Sequence, residues 1–190
     1  MNEQNPSSES GTPPSLSSRD GSSCAWPPDG LERLIFRDTP WPADVENVRR
    51  IVESTGFFHA DEIDIAAELV QERLAKGLES GYFFLFADWD GLPIGYSCYG
   101  PIAATACSYD LYWIAVHHEF RGKGIGKVIL KRSEEAIAGL GGRRIYIETS
   151  STEHYQSTRA FYLKCGYTQV AVLEDFYRPG DSKVIYCKAV

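Results

Sequence analysis

The sequence predicts an α/β (α+β) fold built around a glycine-rich loop that leads from a strand directly into a helix. Three observations predict it. The run Asp110-Leu111-Tyr112-Trp113-Ile114-Ala115-Val116 is β-branched and aromatic, and a short turn joins it to Arg121-Gly122-Lys123-Gly124-Ile125-Gly126-Lys127. Beyond that loop Ile125, Ile129, Ile137 and Leu140 recur on one helical face. The rest of the chain alternates helical periods with short apolar runs, in the order β-α-α-β-β-β-α-β-α-β-β.

The elements follow in chain order. Residues 1–29 are rich in Ser, Pro and Gly and cannot bury enough apolar surface to offset their ordering entropy. They read as a disordered tail, with Trp26 and Pro27 against the edge of a single domain over residues 30–190. Leu34 to Asp38 is a strand, stopped by Pro40 and Pro42. Val45, Val48, Ile51 and Val52 then mark a helix beginning near Pro42. Gly56-Phe57-Phe58 breaks it. A second helix runs from about Asp61 to Lys76, with Ile63, Ala67, Val70 and Leu74 on one face and Asp61, Glu62, Asp64 and Glu68 near its start. That acidic start suits the helix dipole, and would also attract a cationic acceptor.

Tyr82 to Ala87 and Pro93 to Tyr99 are strands, joined by Asp88-Trp89-Asp90-Gly91, whose Asp-Gly pair signals a hairpin. The loop-bearing strand and its helix come next, ended by Gly141-Gly142. Arg144 to Thr149 is a strand parallel to the one before the helix, because a helix intervenes. Tyr155 to Lys164 is a short helix stopped by Gly166, and strands at 167–173 and 183–189 close the chain around Arg178-Pro179-Gly180-Asp181.

A glycine-rich loop at a helix N-terminus offers several backbone N–H groups, to which the helix dipole adds about half a positive charge. Glycines let that backbone approach a ligand closely, and Arg121, Lys123 and Lys127 are cationic. The loop therefore reads as a phosphate cradle. A Walker loop needs four residues before Gly-Lys and a Ser or Thr after it; here three residues separate Gly122 from Gly126, and Val128 follows Lys127. The dinucleotide fingerprint fails as well, because one residue rather than two separates Gly124 from Gly126.

Arg-x-x-Gly-x-Gly, at Arg121, Gly124 and Gly126, resembles the pyrophosphate-binding motif of the GNAT superfamily of N-acetyltransferases. A second segment, Ala160-Phe161-Tyr162-Leu163-Lys164-Cys165-Gly166-Tyr167, is similar to that family's Ala-x-x-Tyr-x-x-x-Gly-Phe. The element order agrees, so the resemblance spans about Leu31 to Val190. It implies a mixed, mostly antiparallel seven-stranded sheet whose two central parallel strands splay apart, flanked by about four helices. It further implies acetyl-CoA as acyl donor, its pantetheine paired with Ile114 and Val116 and its pyrophosphate held by the amides of Gly122, Lys123, Gly124, Ile125, Gly126 and Lys127. One N–H among Ile114, Ala115 and Val116 would face the thioester oxygen. His118 stands where many members carry proline, which alters the turn.

Acyl transfer to an amine needs a proton acceptor, because an amine of pKa near ~10.4 is free in only about one molecule in 10³ at neutral pH. The leaving thiolate benefits from a donor. By the resemblance Tyr162 is that donor. Two carboxylates compete for the base: Asp110, on one strand face with Tyr112, and Glu148, at the end of the parallel neighbour. Each could instead be structural, Asp110 bonded to a loop and Glu148 capping near Thr149 and Ser150. Phe57, Phe58, Tyr112, Tyr177 and Asp181 are expected on the acceptor wall, for a small-molecule amine or a protein amine. A non-catalytic acyl-CoA sensor is the alternative.

The formal net charge of −7 argues against nucleic acid, whose binders are basic, and suits a cationic acceptor. Five scattered cysteines form no Cys-x-x-Cys pair, and His59 and His154 lack clustered partners, so no metal is expected. His117 and His118 read as turn residues. No apolar run reaches membrane-spanning length and the N-terminus lacks a signal pattern. A cytoplasmic monomer or homodimer is expected.

Overall fold

The computed structural model describes residues 26–190, so residues 1–25 of the tail expected over 1–29 lie outside the described residues. In chain order the elements are β1 (Ile35–Arg37), α1 (Asp44–Ser54), α2 (Ala60–Lys76), β2 (Phe83–Trp89), β3 (Leu92–Pro101), β4 (Ser108–Val116), α3 (Ile125–Gly139), β5 (Arg144–Ser150), α4 (Gln156–Lys164), β6 (Thr168–Arg178) and β7 (Asp181–Ala189). Short 3-10 turns occupy Gly77–Ser80, His118–Phe120 and Glu153–Tyr155. Among the described residues the strands form one seven-stranded sheet in the order β1-β2-β3-β4-β5-β7-β6. Only the β4–β5 pair in that sheet is parallel.

Local chemistry accounts for the joints. Asp90 and Gly91 both have positive φ, 50° and 80°, which is the two-residue turn that matches strand twist and closes the β2–β3 hairpin. At the start of α2 the His59 N–H donates to the Glu62 carboxylate at 2.8 Å, satisfying a donor that the helix leaves open. Two helical assignments need correction. Leu74 is 38% exposed, because the 17-residue α2 outruns the 11-residue α1 it packs on. Leu140 is 48% exposed, because it caps α3 past Gly139, where the helical period no longer applies.

Each face of the sheet carries its own core. Leu85, Leu111, Ile125, Ile129, Ile137 and Tyr162 belong to the core beneath α3 and α4. Val48, Ile51, Ala66, Val70, Phe86 and Tyr96 belong to the one beneath α1 and α2. Trp26 joins the first core, with its ring 4.7 Å from Trp89 and 5.7 Å from Phe120.

A buried ion cluster locks the first strand to the first helix. Arg37 donates to Asp88 at 2.7 Å and to both oxygens of Asp44 at 2.6 and 2.8 Å. Its guanidinium lies between the rings of Trp41 and Phe86, 4.1 and 4.2 Å from their centroids.

The feature that shapes the site is a bulge in β4. Cys98 pairs with Trp113 and Tyr99 with Leu111, so Tyr112 is an extra residue on β4. Such an insertion bends its strand and increases its twist. It also reverses the facing of the residues beyond it. Leu111 lies in the α3-side core, yet Trp113 and Ala115 turn to the α1/α2 side while Ile114 and Val116 pack on the α3 side. β4 and β5 part at the same place: their pairing covers only Ser108–Asp110 with Arg144–Tyr146. Beyond it β4 stays on β3 and β5 stays on β7, which opens a wedge between the two central strands. Gly100, paired with Asp110 beside the bulge, makes room there: an added Cβ would collide with the Gly81 carbonyl oxygen and sit 3.1 Å from the Tyr112 ring.

Candidate active site

The glycine-rich loop sits where β4 delivers it, at the N-terminus of α3. Gly122 and Gly124 adopt φ of 75° and 82°, a region side-chain-bearing residues avoid, so the backbone itself forms the surface. Lys127 and Val128 donate back to the Gly124 carbonyl at 3.1 and 3.2 Å. The N–H groups of Ile125 and Gly126 stand in the first turn, where helical geometry supplies no acceptor. Unpaired N–H groups at a helix N-terminus are the donors that a phosphate cradle needs.

The cationic side chains do not converge there. Arg121 donates to the Thr55 carbonyl at 3.1 Å and covers the Phe57 ring. Lys123 donates to the Glu119 carbonyl and lies near the rings of Trp26 and Phe120. Lys127 lines a shallow groove between α3 and α4 with Glu134, Cys165 and Lys188. Backbone, rather than these cations, is what the loop presents.

On the α2 side of the wedge lies a cleft of about 350 Å³ lined by Ile65, Leu69, Tyr82, Asp110, Leu111, Tyr112, Trp113, Tyr146 and Glu148. Asp110 marks its floor, at the last β4–β5 pair. Burial first, and the Glu148 charge second, push its carboxyl up to about 6, while Lys183 pulls the other way. Glu148 is exposed but engaged, because the Lys183 ammonium lies 2.6 Å from its carboxylate. Lys183 is in turn covered by the Phe176 ring at 3.7 Å. The Tyr112 hydroxyl is pushed up to about 12 by burial and by Asp110, and its ring meets Tyr82 edge-on at 5.6 Å.

Tyr162 lies on α4 within the α3-side core, against the rings of Phe161, Tyr167 and Tyr186. Burial, with the Cys165 thiol nearby, pushes its hydroxyl well above the usual range, so it keeps its proton at any physiological pH.

The expected wall residues fall in different places. Phe58 backs the cleft through Trp113, their ring centroids 4.9 Å apart. Phe57 sits at the far end of the wedge, against His154 and beneath Arg121. The Tyr177 ring lies 5.9 Å from the Lys183 ammonium that Glu148 holds, which brings the last hairpin close to the cleft. Asp181 is off the wall: it is buried, and Ser150 donates to its carboxylate at 2.5 Å because the hairpin folds it under the end of β5. Sequence reasoning does not single out Ile65, Leu69, Tyr82, Leu111, Trp113 and Tyr146 of this lining, nor Lys183 beside Glu148. Ile65 is an apolar residue off the face marked by Ile63, Ala67 and Val70, which is a signal the local sequence carries.

No helix of the described residues is long and apolar enough to cross a membrane. The profile of the Acetyltransferase (GNAT) domain matches residues 80–169. A GNAT-family protein from Desulfovibrio desulfuricans is 46% identical, with a TM-score of 0.81 over 82% of this chain and 98% of that one. An aminoglycoside 6′-N-acetyltransferase solved with coenzyme A shares the fold at 20% identity, with a TM-score of 0.67 over 82% of this chain and 96% of that one. Amino-acid acetyltransferase of Pseudomonas aeruginosa is 29% identical over 119 residues, 63% of this chain; the chain spans 26% of the length of that relative. With its mixed sheet, parted central strands and backbone cradle, the chain belongs to the GNAT family of acetyltransferases.

Proposed function

We propose that residues 30–190 form an acetyl-CoA-dependent N-acetyltransferase domain that acylates a primary amine by direct attack, with Asp110 as the proton acceptor. The observation that carries this reading is the position of Asp110, at the point where the central strands part, facing the cleft and pushed up to about 6. A base matched to a pH near neutrality accepts a proton without holding it too tightly. Glu148 is less suited, because its carboxylate is already bound by Lys183.

The wedge and the loop fit the donor. The unpaired edge of β4 at Ile114, Ala115 and Val116 would bind the pantetheine amides, and the amides from Gly122 to Lys127 the pyrophosphate. When bound, acetyl-CoA supplies the acetyl thioester. Asp110 takes the ammonium proton, so that the amine nitrogen can bond to the acetyl carbon as the carbon–sulfur bond breaks. A backbone N–H near Ala115 stabilises the carbonyl oxygen as it gains charge. Tyr162, still protonated, donates to the departing thiolate and is restored by the second proton that the acylated nitrogen sheds as it becomes a neutral amide. Scattered thiols, four of them free in the described residues, support a reducing, cytoplasmic setting.

The test is thiol release from acetyl-CoA with a panel of primary amines, comparing wild type with Asp110→Asn. Turnover by the wild type and its loss in the variant are expected. Equal turnover in both would remove Asp110 from the reaction.

A further inference from the structure

We infer that the acceptor is a monocationic primary amine with an apolar or aromatic body and no carboxylate. This rests on the transferase reading and concerns only what the cleft selects. Its walls are the rings of Tyr82, Tyr112, Trp113 and Tyr146 with the aliphatic side chains of Ile65, Leu69 and Leu111. Ile65 is 48% exposed on α2, with its side chain facing this cleft, so the fold itself does not account for it. Apolar surface of this kind rewards an apolar body, and ring faces also favour an ammonium group near them.

The charges are one-sided. Asp110 and Glu148 line the cleft, and among the described residues no Lys, Arg or His does. Lys183 does not line the cleft; it is held by the Glu148 carboxylate and covered by Phe176. The α-carboxylate of an amino acid would thus enter a half-desolvated cleft beside two carboxylates, with no lining cation to meet it. A second ammonium fares poorly for a different reason. Asp110 is the carboxylate left uncommitted, so a dication would have to draw Glu148 away from Lys183. What remains is one ammonium at Asp110 and an apolar body against the rings.

The experiment uses the full chain with acetyl-CoA and four acceptors: 2-phenylethylamine, phenylalanine, phenylalaninamide and spermidine. Phenylalanine keeps the aromatic body and adds the carboxylate; its amide keeps the size and removes the charge. We expect kcat/KM for 2-phenylethylamine to exceed that for phenylalanine by at least about 100-fold, with the amide recovering most of the loss. Ile65→Arg, which sets a cation on the wall, should narrow the ratio at least about tenfold. Phenylalanine or spermidine turned over as well as 2-phenylethylamine would overturn the inference and leave the transferase reading standing. Absence of both acetyl-CoA binding and thiol release with every amine would instead overturn that reading. If acetyl-CoA binds and none of the four is acetylated, calorimetric titration of the four amines decides: tighter binding of phenylalanine or spermidine than of 2-phenylethylamine sinks the inference, and the reverse order upholds it.

Discussion

Lys183 reaches diagonally across the β5–β7 ladder to place its ammonium 2.6 Å from the Glu148 carboxylate. That contact divides the labour of two acids that share one cleft. Glu148 stays charged but is held in an ion pair, and Asp110 keeps a carboxylate free to exchange a proton.

The pH–rate profile follows from this division. Asp110→Asn should lower kcat/KM at neutral pH by roughly 10² to 10⁴. The wild-type profile should rise through a pH of about 6, as Asp110 ionises. In the variant that rise should vanish, and activity should recover only as the amine approaches its own pKa. Glu148→Gln removes the charge that raises Asp110 and leaves Lys183 to lower it, so the inflection should move below that of the wild type. An unmoved inflection in Glu148→Gln would mean that the two carboxylates are not coupled.

Stability carries the opposite signature. The folded protein holds the Asp110 proton up to about 6, whereas an unfolded aspartate releases it near 3.8. Between these values the native state binds more protons, so stability is lost as pH rises through the window. Asp110→Asn removes that cost. Its melting temperature should exceed the wild type's at pH 7.5, by a margin worth about 1 kcal/mol once solvent screening of this half-exposed group is allowed for. The margin should shrink towards pH 4. A lower melting temperature at pH 7.5 would show that the carboxylate makes a native contact worth more than its desolvation.

For the cradle, Gly124→Ala and Gly124→Glu separate strain from charge. Gly124 sits at φ 82°, which costs any other residue about 1–2 kcal/mol, so both variants should melt slightly earlier. Calorimetric titration should show a modest loss of acetyl-CoA affinity for the alanine and near-complete loss for the glutamate. Unchanged affinity in a folded Gly124→Glu protein would place the pyrophosphate elsewhere.

Tyr162→Phe keeps the ring among Phe161, Tyr167 and Tyr186 and deletes only the hydroxyl. Turnover should fall roughly tenfold or more across the pH range while acetyl-CoA affinity is kept. A variant with wild-type turnover would reduce Tyr162 to a packing residue.

Arg37 tests the scaffold without touching the cleft. Replacing it with methionine strands the fully buried Asp44 and its neighbour Asp88 without their cation. Urea denaturation should show a loss of about 3–5 kcal/mol. A loss below about 1 kcal/mol would mean that the carboxylates find other partners or water.

Much of this molecule is legible in local sequence. The element order, the Asp90-Gly91 hairpin and the glycine loop each depend on a few neighbouring residues, and each stands where local chemistry puts it. The cleft is less legible because its parts are distant in the chain. Tyr82 and Tyr146 are ordinary strand aromatics until α2 and the parted strands bring them together. The Glu148–Lys183 pair depends on strand register, which neither residue announces. Arg121 and Lys123 misled for a related reason: the backbone places them at the loop, while Thr55, Glu119 and the nearby rings decide where their charged ends rest.

The Tyr112 bulge means that the wedge is encoded by chain length more than by side-chain identity. Leu111 and Trp113 stand opposite consecutive β3 residues, Tyr99 and Cys98, so any residue between them is accommodated as the same bulge, and exchanging the tyrosine keeps the local bend of β4. Removing the residue altogether should restore simple alternation and straighten β4, and a fall in acetyl-CoA affinity of the folded variant would tie that bend to the gap beside β5. Substitution here should therefore change the cleft wall that the Tyr112 ring forms and leave the bulge in place, whereas deletion should act on the course of β4 itself.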